Sequence, residues 1–303
     1  MKNLFYPLVV LLLISCEQKK QTAEPSPETI SFLGKPLYAK LIDSALLAKA
    51  DSAIQAIQNK GELIEEDFIA ISRNLVSTYR FKRAIEFFSQ GLIKFPNSFK
   101  LLRHRGHRFL NLRQPDEAIA DLTKAEELIR SEPETWEYDA TGKPTATYQH
   151  QIWYHIGLYH FLKKEYAAAA TAYEKSLAFS KEGNNIAGAS DWLYNAYQRS
   201  GQQDKIPNLL KPFTLDFKIE EKDYPYFRRL LLFNGIITPE QLIDVNLPVD
   251  KLPLTDVTKL YGLANWYFYK GDSTKAQSLY KKVLQSNEWA GFAVACAELD
   301  VKE

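Results

Sequence analysis

From residue 65 onward, apolar positions recur at helical spacing in paired blocks separated by short polar turns. Glu65–Ser98 and Phe99–Glu132 align over 34 residues each and abut without a gap. They carry Ser72 and Gly106 at position 8, Ala84 and Ala118 at position 20, Phe88 and Leu122 at position 24, and Gly91 and Ala125 at position 27. The frame fits again over His150–Gly183, with Trp153, Ile156, Gly157, Ala169 and Tyr173. It also fits from Val257, with Leu263, Ala264, Tyr267, Gly271, Ala276 and Tyr280. A weaker copy starts near Ala187, with Leu193, Tyr197, Gly201, Ile206 and Leu210. Two antiparallel helices need small residues where their backbones approach and large ones where gaps must fill. One such pair cannot bury its apolar face alone, and stacking neighbours closes a continuous core. The pattern predicts an all-α fold, a right-handed α-solenoid of helical hairpins.

These positions resemble the tetratricopeptide repeat pattern. Four segments resemble one bacterial group of tetratricopeptide repeat proteins: Arg103 to Arg108, Gln151 to Leu158, Tyr226 to Leu232, and Tyr261 to Tyr267. The resemblance covers about residues 65–300 and brings no catalytic residue with it. It implies that the first helix of each hairpin lines a concave surface, with repeat positions 2, 5, 9, 12 and 13 facing inward. In the second unit these are Lys100, Arg103, His107, Leu110 and Asn111. Elsewhere they include Arg73, Tyr154, Leu158, Tyr261, Asn265 and Phe268. Arg103 and His107 are four residues apart and share a helix face. With Lys100 and Arg73 they form a basic spot suited to a carboxylate, as at a peptide C-terminus, or to a phosphate. The spot is similar to the carboxylate clamp of some tetratricopeptide domains, but lacks that clamp's asparagines and lysine at corresponding positions. The alternative is that the arginines pair with acids across units.

The remaining blocks are less regular. Tyr224–Asn234 predicts a helix ended by Gly235. Thr238-Pro239-Glu240-Gln241 opens another, with a capping threonine, proline in the first turn and a glutamine placed to return a bond. Pro207 and Pro212 bracket a short helix. Leu37–Gln58 predicts a leading helix, and Glu288–Val301 a closing helix over the far end. The insertion at 133–149 is long for a helical array. Its Trp136, Tyr138 and Tyr148 imply that it packs against something.

The 303 residues are 46% apolar and 25% charged, which excludes disorder, collagen and a multi-span membrane protein. Thirty-eight Lys and Arg against thirty-seven Asp and Glu give a net charge of +1, so no global field steers the chain to nucleic acid. Met1-Lys2-Asn3 precedes an apolar run from Leu4 to Ile14, too short to span a bilayer. The run reads as a secretory signal. It ends in Leu13-Ile14-Ser15-Cys16, which resembles the bacterial lipobox. That resemblance implies cleavage before Cys16 and a diacylglycerol on its sulfur. The domain reading is therefore a signal peptide over 1–15, a flexible tether over 16–35 and the repeat array over 36–303. A tether of this length reaches roughly 20–25 Å as a coil. The residues after Cys16 favour the periplasmic face of an outer membrane. Cys296 shares a helical face with Trp289, Phe292 and Ala293 and reads as a core thiol.

No catalytic signature or nucleotide-binding motif is present, and no cofactor is implied. All five histidines lie between His104 and His160. None has the i, i+4 spacing of a zinc-binding His-Glu-x-x-His. His160, at position 11 of its unit, is expected in a core slot. Two functions follow. The first is a non-catalytic, membrane-tethered scaffold that holds a peptide or protein partner in the groove through Arg73, Lys100, Arg103, His107 and Tyr154. The alternative is a metal-binding protein or metal-dependent enzyme that uses His104, His107 and His155 with Glu137 or Asp139. The scaffold is preferred because fold carries no chemistry and no motif supplies it.

Overall fold

A computed structural model describes residues 26–302. The residues assigned to the signal peptide, and Cys16 with most of the tether, lie outside the described residues. The array begins with α1 (Ser44–Gln58), followed by the hairpin α2 (Glu65–Ser77) and α3 (Phe81–Lys94). Next come α4 (Phe99–Asn111) with α5 (Pro115–Ile129), and α6 (Tyr148–Leu162) with α7 (Tyr166–Ala178). The fourth pair joins α8 (Gly183–Ser200) to the five-residue α9 (Ile206–Leu210). Then follow α10 (Pro225–Phe233), the one-turn α11 (Pro239–Leu242), α12 (Leu254–Tyr269), α13 (Ser273–Val283) and α14 (Phe292–Asp300). Successive helices pack in chain order from α1 to α8, then through α10 and α12 to α14. The fold is an all-α solenoid. The short α9 follows from Pro207, which suits only a first turn, and Pro212 just beyond the end. Thr238 and Gln241 form the expected reciprocal cap of α11.

The repeat frame is visible in the backbone. Position 15, between the two helices of a hairpin, has positive φ in five units: Tyr79 59°, Arg113 60°, Lys164 61°, Gly201 77° and Gly271 85°. In each case the next N–H bonds the carbonyl five residues back, as in Arg80 to Leu75 and Gln114 to Phe109. This is the left-handed helix termination that glycine adopts without strain. Three units place a side chain there regardless, at a cost of about 1–2 kcal/mol each. Position 8 is tight for the reason the pattern gives. A Cβ on Gly157 would lie 2.6 Å from the Tyr173 ring.

Both ends of the chain depart from the expectation. Residues 26–35, assigned to the flexible tether, fold back onto the array. Thr29–Ile30 (β1) and Pro36–Leu37 (β2) form a short antiparallel hairpin. Thr29 Oγ1 donates to the Leu112 carbonyl, and the Phe32 N–H donates to Glu298 at 2.9 Å. The leading helix starts at Ser44, capped by Asp43, and not at Leu37. The hairpin is anchored from outside its own sequence, which is why its polar composition reads as a linker.

The closing helix also differs. It starts at Phe292 and, rather than simply capping the far end, runs against the first helices of several hairpins. It touches α6 and α12 directly. The residues just before it reach back to the first two units, where Asn111 donates to the Ala290 carbonyl at 2.7 Å and Trp289 packs on Tyr79 and Phe81. Arg113 binds Glu298 at 2.6 Å with both side chains almost fully buried (2% and 3% exposed). Arg199 binds Asp300, which also accepts from Tyr261. The three strained position-15 side chains all serve this segment. Tyr79 donates to Glu288, Arg113 to Glu298 and the Trp289 carbonyl, and Lys164 to the Leu299 carbonyl at 3.0 Å. The expected inward positions are thus internal contacts: Asn111 and Tyr261 meet the 290–300 segment, and Asn265 bonds Asn195, Arg199 and Tyr280. Cys296 is buried within that segment as a free thiol.

Candidate functional site

The part of the concave face left by α14 is formed by α2, α4, α6 and the insertion. Ser98 caps α4 by accepting from the Leu101 N–H at 2.9 Å. Leu101, Leu102 and Leu110 bury one side of the helix. The same winding turns Arg103, His104, His107 and Arg108 inward, while Arg105 faces its neighbour and makes a forked pair with Asp121 at 2.7 Å.

The insertion is a β-hairpin, β3 (Trp136–Tyr138) with β4 (Pro144–Thr147), bulged between Glu137 and Tyr138. Asp139 Oδ1 accepts from the N–H groups of Thr141 and Lys143 and closes the turn, with Gly142 at φ 83°. The hairpin delivers Glu137 onto the inward face of α4. Arg73 Nη2 lies 2.8 Å from Glu137 Oε1, and Arg73 Nη1 donates to the Tyr138 carbonyl at 2.9 Å. Arg103 Nη2 lies 3.3 Å from Glu137 Oε2.

Arg73, Arg103, His104, His107, Arg108 and Glu137 surround a cavity of about 350 Å³ that opens to solvent beside Ser77. Three guanidinium groups face one carboxylate. Arg103 is 5% exposed, and its Nε has no hydrogen-bond partner. Arg108 has no carboxylate in ion-pair range among the described residues. It leans on His107 Nδ1 and the Phe81 ring. Burial, then repulsion from Arg103, pushes its pKa down to about 9, which leaves it charged at neutral pH.

Three histidines around the cavities are kept neutral. Burial first, then Arg103, holds His104 well below the usual imidazole range; burial and Arg108 do the same for His107, and burial and Arg103 for His155. Arg103 donates to His104 Nδ1 at 2.8 Å, so the His104 proton sits on Nε2, facing Glu137 at 3.5 Å. A second cavity of about 270 Å³ lies on the other side of Arg103 and His107, bounded by Tyr154, His155, Tyr224 and Tyr226. The His107 and His155 rings are 4.1 Å apart, and Phe292 of α14 closes over His107 at 5.4 Å.

Arg73, Arg103 and His107 therefore share one cavity, and Tyr154 lines the adjoining one. Lys100 is not part of either. Its amine is held by Glu65 at 2.9 Å and Glu66 at 2.8 Å, because Glu66 occupies the same position one repeat earlier. His160 is part-exposed and bonded to Glu165, not in a core slot. Among the described residues no group of three or more His, Cys, Asp or Glu is placed to hold a metal ion. Asp139 is committed to its turn, and His155 Nδ1 to the Gln151 carbonyl. Arg108, His104 and Glu137 complete the first cavity. The one signal for Arg108 in the sequence is that it directly follows His107, an expected inward position. Among the described residues no helix is long and apolar enough to cross a membrane.

The hairpins and their shared turn define a helical repeat array with a polar inner face. Residues 150–182, which span α6 and α7, match the tetratricopeptide repeat family model. The α6–α7 hairpin is thus a tetratricopeptide repeat, and the same residue frame recurs in the neighbouring hairpins. Among solved structures it is similar to MamA, at 20% identity over 72% of this chain and 94% of that one, with a TM-score of 0.38. It is also similar to YrrB, described as a tetratricopeptide protein with an unusual peptide-binding site, at 14% identity over 78% and 92%, TM-score 0.41. A third is the C-terminal part of a repeat-containing protein from Cytophaga hutchinsonii, at 18% identity over 78% and 77%, TM-score 0.39. No curated protein matches the chain.

Proposed function

We propose that this protein is a non-catalytic scaffold that holds an acidic group of a peptide or protein partner at Arg73, Arg103 and His107, with Tyr154 in the adjoining cavity. One observation carries this reading: three guanidinium groups line a cavity that opens to solvent, and among the described residues its one carboxylate, Glu137, pairs with Arg73 and Arg103 and leaves Arg108 without an acid. Buried arginine without a matching acid is costly, and an incoming carboxylate or phosphate supplies the missing charge and hydrogen bonds. The C-terminal helix fills the neighbouring stretch of the concave face. The partner therefore presents a compact acidic end here, and not a long extended segment laid along the whole array. A diacylglycerol on Cys16 would hold the scaffold on the periplasmic face of an outer membrane, a reading supported by the Leu13-Ile14-Ser15-Cys16 motif. In-cell crosslinking of the lipidated protein, followed by identification of what is captured, tests the function. Arg103→Ala is expected to abolish capture of that partner, and capture at the wild-type level would refute the site.

A further inference from the structure

Charge bookkeeping within the cavity specifies the ligand more closely. The groups that face it are the cations Arg73, Arg103 and Arg108, the anion Glu137, and His104 and His107, both held neutral by burial. The sum is two positive charges in excess. Glu137 already engages Arg73 and Arg103 on one side. Arg108 and the free Nε of Arg103 remain unmatched. A single carboxylate would leave one guanidinium uncompensated beside the buried Arg103. A phosphate monoester carries close to two charges and offers three strong acceptor oxygens, enough to meet several guanidinium groups at once.

We propose that the cavity between α2, α4 and the Glu137 hairpin is a phosphate-monoester site in which Arg108 is a direct contact alongside Arg103. This rests on the acidic-partner reading above and narrows the acidic group to a dianion. Glu137 then acts as a fixed counter-charge that orients Arg73 and Arg103 and sets how much charge the ligand must bring.

The test is calorimetric titration of the full folded chain with inorganic phosphate and with acetate at pH 8, at constant ionic strength. Phosphate is expected to bind at least tenfold more tightly than acetate. Arg108→Gln is expected to weaken phosphate at least tenfold while changing acetate less than about threefold, and Arg108→Lys to restore part of the phosphate affinity. Circular dichroism melting of each variant shows whether it is folded. Equal affinity for the two anions would overturn the proposal, as would phosphate binding unchanged in a folded Arg108→Gln. The two readings fail separately. If Arg103→Ala abolishes partner capture while phosphate binds no better than acetate, only the dianion inference falls. If phosphate binds through Arg108 but partner capture ignores Arg103, the inference stands and the scaffold reading falls.

Discussion

Two sets of arginines line the inner face of this array, and they have opposite fates. Arg113 and Arg199 meet Glu298 and Asp300 of the C-terminal helix, one carboxylate for each guanidinium, in near-complete burial. Among the described residues, Arg73 and Arg103 share Glu137, and Arg108 beside them has no carboxylate in range. The first set is stoichiometrically closed and belongs to the fold. The second is open, although its members lie on equivalent faces of adjacent hairpins. Charge balance, and not the mere presence of arginine, separates the two halves of the face, and the open half is the one proposed above to bind a partner. Helix α14 draws that boundary, since it brings its own acids to one half of the face and only Phe292 to the edge of the other.

The sharpest way to break this comparison is to remove one arginine from each set and measure stability by urea unfolding. Arg113→Ala strands Glu298 in the interior and is expected to cost about 3–5 kcal/mol. Arg108→Ala removes an unmatched cation and is expected to leave stability within about 1 kcal/mol of wild type, or to raise it. Equal losses would mean that Arg108 is structurally paired after all. Acid is the next largest effect. The buried histidines have depressed pKa values, so below about pH 6.5 the unfolded chain binds more protons than the folded one. Their contribution is complete above that pH and is lost as pH falls. His150, pushed down to about 4 by burial, accounts for about 3 kcal/mol over that interval. His150→Gln should flatten the measured slope of stability against pH between 6.5 and 4. A smaller effect is expected at the turn. Lys164→Gly relieves a left-handed backbone at φ 61° and loses only an exposed bond to Leu299, so it should gain about 0.5–1 kcal/mol. Smallest of all, Lys100→Ala should change phosphate affinity less than twofold in the same titration, because its amine is turned to Glu65 and Glu66. A large loss would return Lys100 to the site.

The repeat period was legible because it is local physics: Gly157 against Tyr173, Gly106 against Leu122, and one left-handed residue between the two helices of each unit. The inward placement of Arg73, Arg103 and His107 followed from the same frame. What the frame does not encode is contact between unlike parts of the chain. Glu137 reaches Arg73 across 64 residues by way of a hairpin that has no counterpart in the other repeats. The C-terminal segment meets Asn111 across 179 residues. One signal for that placement was present. Ala293-Val294-Ala295-Cys296-Ala297 is apolar all round, the mark of a helix buried on every side, whereas a capping helix needs a polar outer face. The hairpin at residues 29–37 left no such mark. Ser31 is met by Lys35 inside the hairpin, but Thr29 and the Phe32 N–H find their partners on the array.

The turn residues Tyr79 and Arg113 have a consequence for how the protein is made. A ribosome releases Glu288 and Glu298 long after Tyr79 and Arg113, yet these are the acids that hold those two contorted turns. Solenoids of this size ordinarily mature segment by segment as they emerge, each unit needing only its neighbours. Here the two hairpins with those turns must wait, strained and unmatched, until the segment from Glu288 to Glu298 arrives to lock them.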